Sequence, residues 1–200
     1  MSVKQDLKIL TIGNSFTDSL VFYFADVVKS AGCGILFDRA NHGGCELPPI
    51  DSGRHWSYID FEERDSTAMM YQVPRVKLRD ILMREPWDIV TIQQASHESW
   101  NPETYQPYAS NIHAHVKKYA PQAEVVIQQT WSYRADDPRL MPGGAWGFDQ
   151  DGMYERLTGA YRKLASELNL RIIPTGYAVQ LARRNQPFRF QNYDPAVLET

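Results

Sequence analysis

Three short polar stretches of this chain each follow an apolar run, and they carry side chains that could do chemistry. Ser15 lies in "IGNSFTDS" (residues 12–19), a "NHGGC" turn occupies 41–45, and "QQASHESW" occupies 93–100. A serine hydroxyl can attack a carbonyl carbon, while glycine N–H groups and glutamine amides can hydrogen-bond the oxyanion that forms. The set therefore predicts acyl transfer with Ser15 as the nucleophile.

These stretches need strands to position them, and the apolar pattern supplies five short candidates: 8–12, 35–40, 88–93, 124–130 and 171–174. Stretches with helical periodicity alternate with them: 19–31, 73–84, 103–119, 152–168 and 177–184. The first helix is predicted to be capped by Asp18 or Ser19 and to close at Gly32. This alternation predicts a three-layer, flavodoxin-like α/β fold, a parallel sheet with helices on both faces. In that strand order the three polar stretches meet at the carboxyl edge of the sheet.

Composition limits the classes of function. Two hundred residues suit one α/β domain over residues 1–200. A formal net charge of −3 and the lack of a basic run argue against nucleic acid or a membrane surface as partner. The N-terminus lacks a signal-peptide core, which predicts a cytoplasmic protein, or a periplasmic or secreted one if a leader has been removed. The sequence makes no prediction of oligomeric state.

The three stretches resemble the first three blocks of the SGNH, or GDSL-type, hydrolase superfamily, over roughly residues 8–175. In the third block, "WDIVTIQQASHESW", a Gln-x-x-Ser pattern replaces the family's Gly-x-Asn-Asp. The resemblance implies that Ser15 is the nucleophile and that its own N–H joins the oxyanion hole. Gly44 (or Gly43) would supply a second N–H. His97 falls where the family has asparagine, and Gln93 is the better amide donor by chemistry.

Other residues are candidates for lining the pocket. Asn14 precedes the serine, His97 lies in the third stretch, and Trp131 follows the fourth predicted strand. Gln94 is the alternative to Gln93 as amide donor. Each candidate also has a structural interpretation, because turn serines, turn glycines and amides at strand ends often satisfy only the local backbone. The long loops at 41–72 and 131–149 are rich in Gly, Pro and Trp, which favours a binding rim.

One family block has no match in these residues. The general base of the family lies in Asp-x-x-His, but no aspartate of this chain has a histidine three positions on, and the last histidine is His115. Without a base, a serine hydroxyl stays protonated near neutral pH and is a poor nucleophile. We expect that the natural chain continues past Thr200 and supplies the block. The alternatives are that the base comes from elsewhere or that activity is lost.

The histidines predict no metal site, and no cofactor is predicted. His113 and His115 are two apart on a helix, so they face different directions, and no Cys/His cluster occurs.

The leading functional hypothesis is a serine esterase acting on a small-molecule or glycan ester, with O-acetyl groups on carbohydrate as the favoured substrate. The alternative is a catalytically inactive carbohydrate-binding domain of the same fold. A third hypothesis, a flavodoxin-like binder of phosphate or flavin, is disfavoured by the bulky Phe16.

Overall fold

The computed structural model describes residues 7–41, 44–47 and 78–185. Its centre is a parallel sheet of five strands in the order β2-β1-β3-β4-β5. The strands are β1 Leu7–Gly13, β2 Ile35–Asn41, β3 Ile89–Ile92, β4 Glu124–Gln128 and β5 Arg171–Ile173. Strand β1 lies between β2 and β3, which confirms the flavodoxin-like arrangement and makes the loops after these three strands neighbours.

Six α-helices accompany the strands within the described residues: α1 Ser15–Val21, α2 Phe24–Ser30, α3 Leu78–Arg84, α4 Tyr108–Tyr119, α5 Gln150–Leu168 and α6 Thr175–Arg184. A single turn of 3-10 helix covers Pro102–Thr104. The predicted start of α3 lies outside the described residues. No helix among the described residues is long and apolar enough to cross a membrane.

The first helix differs from its prediction. It begins at Ser15, not Ser19, and is interrupted before α2 begins. Asn14 is the cap, because its Oδ1 accepts a hydrogen bond from the N–H of Phe16 at 3.1 Å. Asp18 cannot serve as the cap, since its carboxylate binds Arg39 and Asn41 of β2 at 2.6 and 2.8 Å. The cap prediction of Asp18 or Ser19 was therefore wrong, whereas Gly32 does follow α2 with a positive φ of 65°.

The predicted helix over 103–119 is divided into the 3-10 turn and α4. Pro107 stands at the N-cap of α4. A proline has no backbone N–H and its ring clashes inside a helix, so it is accommodated at a helix start. Helix α5 spans the predicted stretch. The side chain of Asp149 caps it, and its apolar residues at three- and four-residue spacing are buried: Met153, Leu157, Ala160, Tyr161 and Leu164.

The two faces of the sheet differ in chemistry. One face, here called the core face, packs against α3, α4 and α5 in a single hydrophobic cluster and consists of Leu10, Ile12, Val90, Ile92, Val125 and Ile127. The opposite face, here called the polar face, includes Thr11, Gly13, Thr91, Gln93 and Gln128, by the alternation of side chains along each strand. Helix α1 covers the polar face, since a Cβ on Gly13 would lie 2.1 Å from Thr17 Oγ1. Helices therefore cover both faces, as predicted.

Several polar groups on the polar face and on the facing side of α1 are buried without a hydrogen-bond partner among the described residues. Among the described residues, no hydrogen bond reaches Thr11 Oγ1, Thr17 Oγ1, Thr91 Oγ1, Gln93 Oε1 or either amide atom of Gln128. Buried polar groups of this kind are usually paired, since desolvation without compensation costs free energy. These buried hydroxyl and amide groups distinguish the polar face from the apolar core face.

Candidate active site

Ser15 stands at the carboxyl edge of the sheet, as the first residue of α1, and it is exposed. Gly13 ends β1 immediately before it. A Cβ at Gly13 would lie 2.1 Å from Thr17 Oγ1 and 2.7 Å from Gln93 Nε2, so any larger residue would force neighbours apart. Glycine at this position therefore lets α1 begin directly at the strand end, and this close approach fixes where Ser15 lies.

The side chain of Asn14 joins the three loops that the sequence analysis expected to meet. Asn14 is 2% exposed. Its Oδ1 accepts from Gln93 Nε2 at 2.8 Å, in addition to the capping bond from α1. Its Nδ2 donates to the carbonyl of Cys45 at 3.1 Å. One amide thus holds the serine loop, the loop after β2 and the loop after β3 together. Asn14 was predicted only as a pocket residue, and the structure gives it this positioning role.

The two adjacent glutamines have different environments. Gln94 is fully buried, and its Oε1 accepts from the N–H groups of Leu47 (2.9 Å) and Ala95 (2.8 Å). Its Nε2 donates to the carbonyl and hydroxyl of Thr104 at 3.1 and 2.9 Å. Both polar atoms of the Gln94 amide are therefore used in hydrogen bonds that hold these loops in place. Gln93 Nε2 donates to Asn14 and carries a second N–H, which is consistent with the preference for Gln93 as donor; that role stays a prediction.

The loop after β2 is described at residues 44–47. Gly44 is exposed and has a φ of 67°, in the left-handed region that favours glycine. It directly precedes Cys45, whose carbonyl binds Asn14. The structure thus brings Gly44 to the same edge as Ser15, and its N–H as an oxyanion donor stays a prediction. Gly43 lies outside the described residues.

The structure reveals a carboxylate partner of His97 that the sequence analysis missed. His97 Nε2 is hydrogen-bonded to Glu46 Oε1, and Glu46 is 5% exposed. Glu98 lies beside them, and one ligand atom from each of the three side chains lies within 4.8 Å of the others. Burial raises the pKa of Glu98, and the charge of Glu46 raises it further, although His97 opposes this. Because Glu46 is 51 positions from His97, no short-range spacing predicts the group.

An aromatic group borders the serine. Trp131 packs on Phe16, the residue after Ser15, with ring centroids 4.2 Å apart. Tyr133 stacks on Trp146 at 5.8 Å, and its hydroxyl lies 2.7 Å from Ser96 Oγ. Burial raises the pKa of the Tyr133 phenol. The long loop after β4 is thereby packed against the loops of Ser15 and His97, so Trp131 does lie at this edge.

Arg139 covers part of that aromatic group. Its guanidinium lies 4.3 Å from the ring centre of Tyr133 and 4.8 Å from that of Trp146. Asp137 pairs with it at 2.7 Å, and this pairing raises the pKa of Arg139. The guanidinium of Arg139 stacks on both aromatic rings and is paired with a carboxylate, and these contacts hold the aromatic group in one arrangement.

The chain resembles one family and several solved structures. A family model described as a domain of unknown function, DUF4886, matches residues 8–193. Among curated proteins, none matches the chain significantly. The crystal structure of a DUF4886 family protein from Bacteroides uniformis ATCC 8492 is 24% identical, covers 90% of this chain and 71% of its own, and has a TM-score of 0.73.

Two further solved structures share the fold at lower similarity. A candidate GDSL-like lipase from Parabacteroides merdae ATCC 43184 is 16% identical, covers 96% of this chain and 88% of its own, and has a TM-score of 0.57. A candidate SGNH hydrolase from Slackia heliotrinireducens is 22% identical, covers 84% of this chain and 78% of its own, and has a TM-score of 0.56. At these identities the likeness concerns the fold, which is that of SGNH and GDSL-type hydrolases.

Proposed function

Because this chain belongs to the DUF4886 family and has the fold of SGNH hydrolases, we propose that it is a serine esterase with Ser15 as nucleophile. The observation that carries the proposal is the side chain of Asn14. Its hydrogen bonds to Gln93 and Cys45 hold an exposed serine beside two other loops that offer N–H donors. Preorganised donors around a nucleophile are what acyl transfer requires.

In the proposed reaction, Ser15 Oγ attacks the carbonyl carbon of the ester. The N–H groups of Ser15 and Gly44, with the second N–H of Gln93 Nε2, bind the oxyanion of the tetrahedral intermediate. The alcohol leaves with a proton, and water then hydrolyses the acyl-enzyme. The hydroxyl needs a general base within hydrogen-bond reach of Oγ, since serine is activated in this way near neutral pH.

The favoured substrate is an O-acetyl ester on carbohydrate. Trp131 and Tyr133 are partly exposed beside Phe16, and aromatic faces suit the apolar faces of sugar rings. The exposed Arg134 and Asp136 on the same loop form an ion pair at 2.7 Å and give the rim polar partners for hydroxyl groups. A surface that mixes aromatic and charged side chains suits a glycan better than a long acyl chain.

The proposal is tested by covalent labelling of Ser15. The folded full-length natural protein is treated with a fluorophosphonate, the labelled peptide is identified by mass, and hydrolysis of 4-nitrophenyl acetate is measured in parallel. We expect labelling at Ser15, and a loss of hydrolysis of at least about 10³-fold in Ser15→Ala. Ser19→Ala is the matched control, because Ser19 is an exposed serine on the same helix and should leave both readouts unchanged.

Two outcomes would contradict the proposal. Hydrolysis that survives Ser15→Ala would show that another group does the chemistry. A folded protein that is neither labelled nor active, but binds acetylated oligosaccharides, would favour the inactive carbohydrate-binding domain.

A further inference from the structure

We propose that Glu46, His97 and Glu98 form a binding site for one divalent transition-metal ion, with Zn²⁺ as the best-matched ion. The three side chains come from two loops, the one after β2 and the one after β3, which meet at the carboxyl edge of the sheet. The site does not use Ser15 or the proposed oxyanion donors, so it goes beyond the proposed esterase.

The geometry of the three side chains is close to what an ion needs. One ligand atom from each lies within 4.8 Å of the others. Zinc binds imidazole nitrogen and carboxylate oxygen at about 2.0–2.2 Å, so two ligand atoms on one tetrahedral ion are roughly 3.5 Å apart. The three ligand atoms must therefore shift by about 1 Å to bind one ion. His97 and Glu98 are half-buried, so their side chains have more room to adjust than that of the buried Glu46.

The charges of the group also favour a cation. The carboxylate of Glu46 is buried, and its hydrogen bond to His97 uses only Oε1. Two glutamates and one histidine place more acidic than basic side chains at this point. A buried charge is costly unless it is paired or coordinates a metal. A divalent ion bound between them would offset the charges of Glu46 and Glu98 together.

The donor set selects the class of ion. Mg²⁺ and Ca²⁺ prefer shells made of oxygen atoms, whereas imidazole nitrogen suits zinc and its neighbours in the transition series. Three protein ligands would leave a coordination position for water on the exposed side of His97 and Glu98. The site is also linked to Asn14, because the residue before Glu46 supplies the carbonyl that Asn14 binds.

The test is a titration of the metal-stripped full chain with ZnCl₂ by isothermal calorimetry, with thermal unfolding as a second readout. We expect saturable binding of one ion and a higher Tm with zinc. Glu98→Gln and His97→Asn should each weaken zinc binding at least tenfold. Because Glu98 is half-exposed, Glu98→Gln should stay folded even if changes at the buried Glu46 do not.

Control variants separate this site from other possibilities. Glu103→Gln, an exposed glutamate in the same loop region, should bind zinc like the wild type. Ser15→Ala should also bind zinc normally, so a failed esterase assay and a failed zinc titration are independent results. The inference is overturned if zinc does not bind saturably, if Glu98→Gln and His97→Asn bind as tightly as the wild type, or if Mg²⁺ binds as tightly as Zn²⁺.

Discussion

Val90 and Thr91 are neighbours on β3, yet they belong to opposite faces of the sheet. Val90 is fully buried on the core face, among apolar side chains of the main cluster. Thr91 is almost as buried on the polar face, but its hydroxyl has no hydrogen-bond partner in the described part of the chain. Burial is therefore similar on the two faces, whereas the chemistry of the buried side chains differs, and we expect their contributions to stability to differ with it.

The difference follows from the position of the candidate site. The polar face ends in Gly13 and Gln93, the residues that meet Asn14 and the start of α1. Amide and hydroxyl groups near that end can form hydrogen bonds to a bound molecule. They stabilise the fold poorly when they are buried and unpaired. The core face faces α3, α4 and α5 and supplies the apolar burial that drives folding. Substitutions on the two faces should therefore change the free energy of unfolding by different amounts.

The largest effect is expected on the core face. Leu157 of α5 is fully buried in the main cluster. Leu157→Ala should lower the free energy of unfolding by about 2–5 kcal/mol, because it removes apolar contacts and leaves a cavity. Urea denaturation followed by circular dichroism measures this. A loss below about 1 kcal/mol would contradict the view that this cluster carries the stability.

The next effect concerns the point where the polar face meets the site. Gly13→Ala introduces a Cβ 2.1 Å from Thr17 Oγ1 and 2.7 Å from Gln93 Nε2. We expect a stability loss of about 1–3 kcal/mol from overpacking. Because Gln93 and α1 must shift, fluorophosphonate labelling of Ser15 should also slow more than it does in Leu157→Ala. Gly159→Ala is the matched control, since its Cβ would meet no atom within 4 Å, and it should label normally.

A reciprocal pair of substitutions tests the comparison directly. Val90→Thr buries a new hydroxyl on the core face and should cost about 1–2 kcal/mol. Thr91→Val removes an unpaired hydroxyl on the polar face at nearly constant shape, so its stability should be unchanged or slightly raised. Chemical denaturation of both variants gives the answer. Equal losses in the two would show that the hydroxyl of Thr91 is well satisfied in the folded protein.

The smallest effect is a pH dependence in the helical layer of the core face. Burial lowers the pKa of His113 on α4, and the charge of Lys117 lowers it further. The folded state thus binds the proton less well than the unfolded state. The stability from His113 is complete above the unfolded pKa of about 6.5 and declines as pH falls through the folded value. His113→Gln should flatten this decline in Tm between about pH 7 and 5, and an unchanged profile would assign it to another group.

The sequence predicts the strands well because apolar runs report burial directly. The runs at β3 and β4 are nearly continuous in Val and Ile, as expected for strands covered on both faces. The meeting of the three polar loops also follows from strand order alone. These predictions depend on local pattern and topology, which the sequence contains.

What the sequence could not predict depends on contacts between distant residues. Asp18 looks like a helix cap, but Arg39 and Asn41 lie 21 and 23 positions away and take its carboxylate. Glu46 and His97 are likewise far apart in sequence, by 51 positions, so no short Cys or His spacing indicates their contact. In both cases, the partner of a polar side chain comes from a distant part of the sequence, so only the tertiary structure identifies it.

The hydrogen bond from Asn14 to the carbonyl of Cys45 limits which changes the loop after β2 can accept. The acceptor is a backbone carbonyl, so the hydrogen bond itself does not require a cysteine, but Cys45 is 2% exposed in the main cluster and any replacement must fit there. A small apolar replacement at position 45 can therefore leave the loop that carries Ser15 in place. An insertion or deletion between Asn41 and Glu46 would instead move that carbonyl. A change in loop length would therefore require a new anchor for Asn14, whereas a substitution that fits the buried position would not.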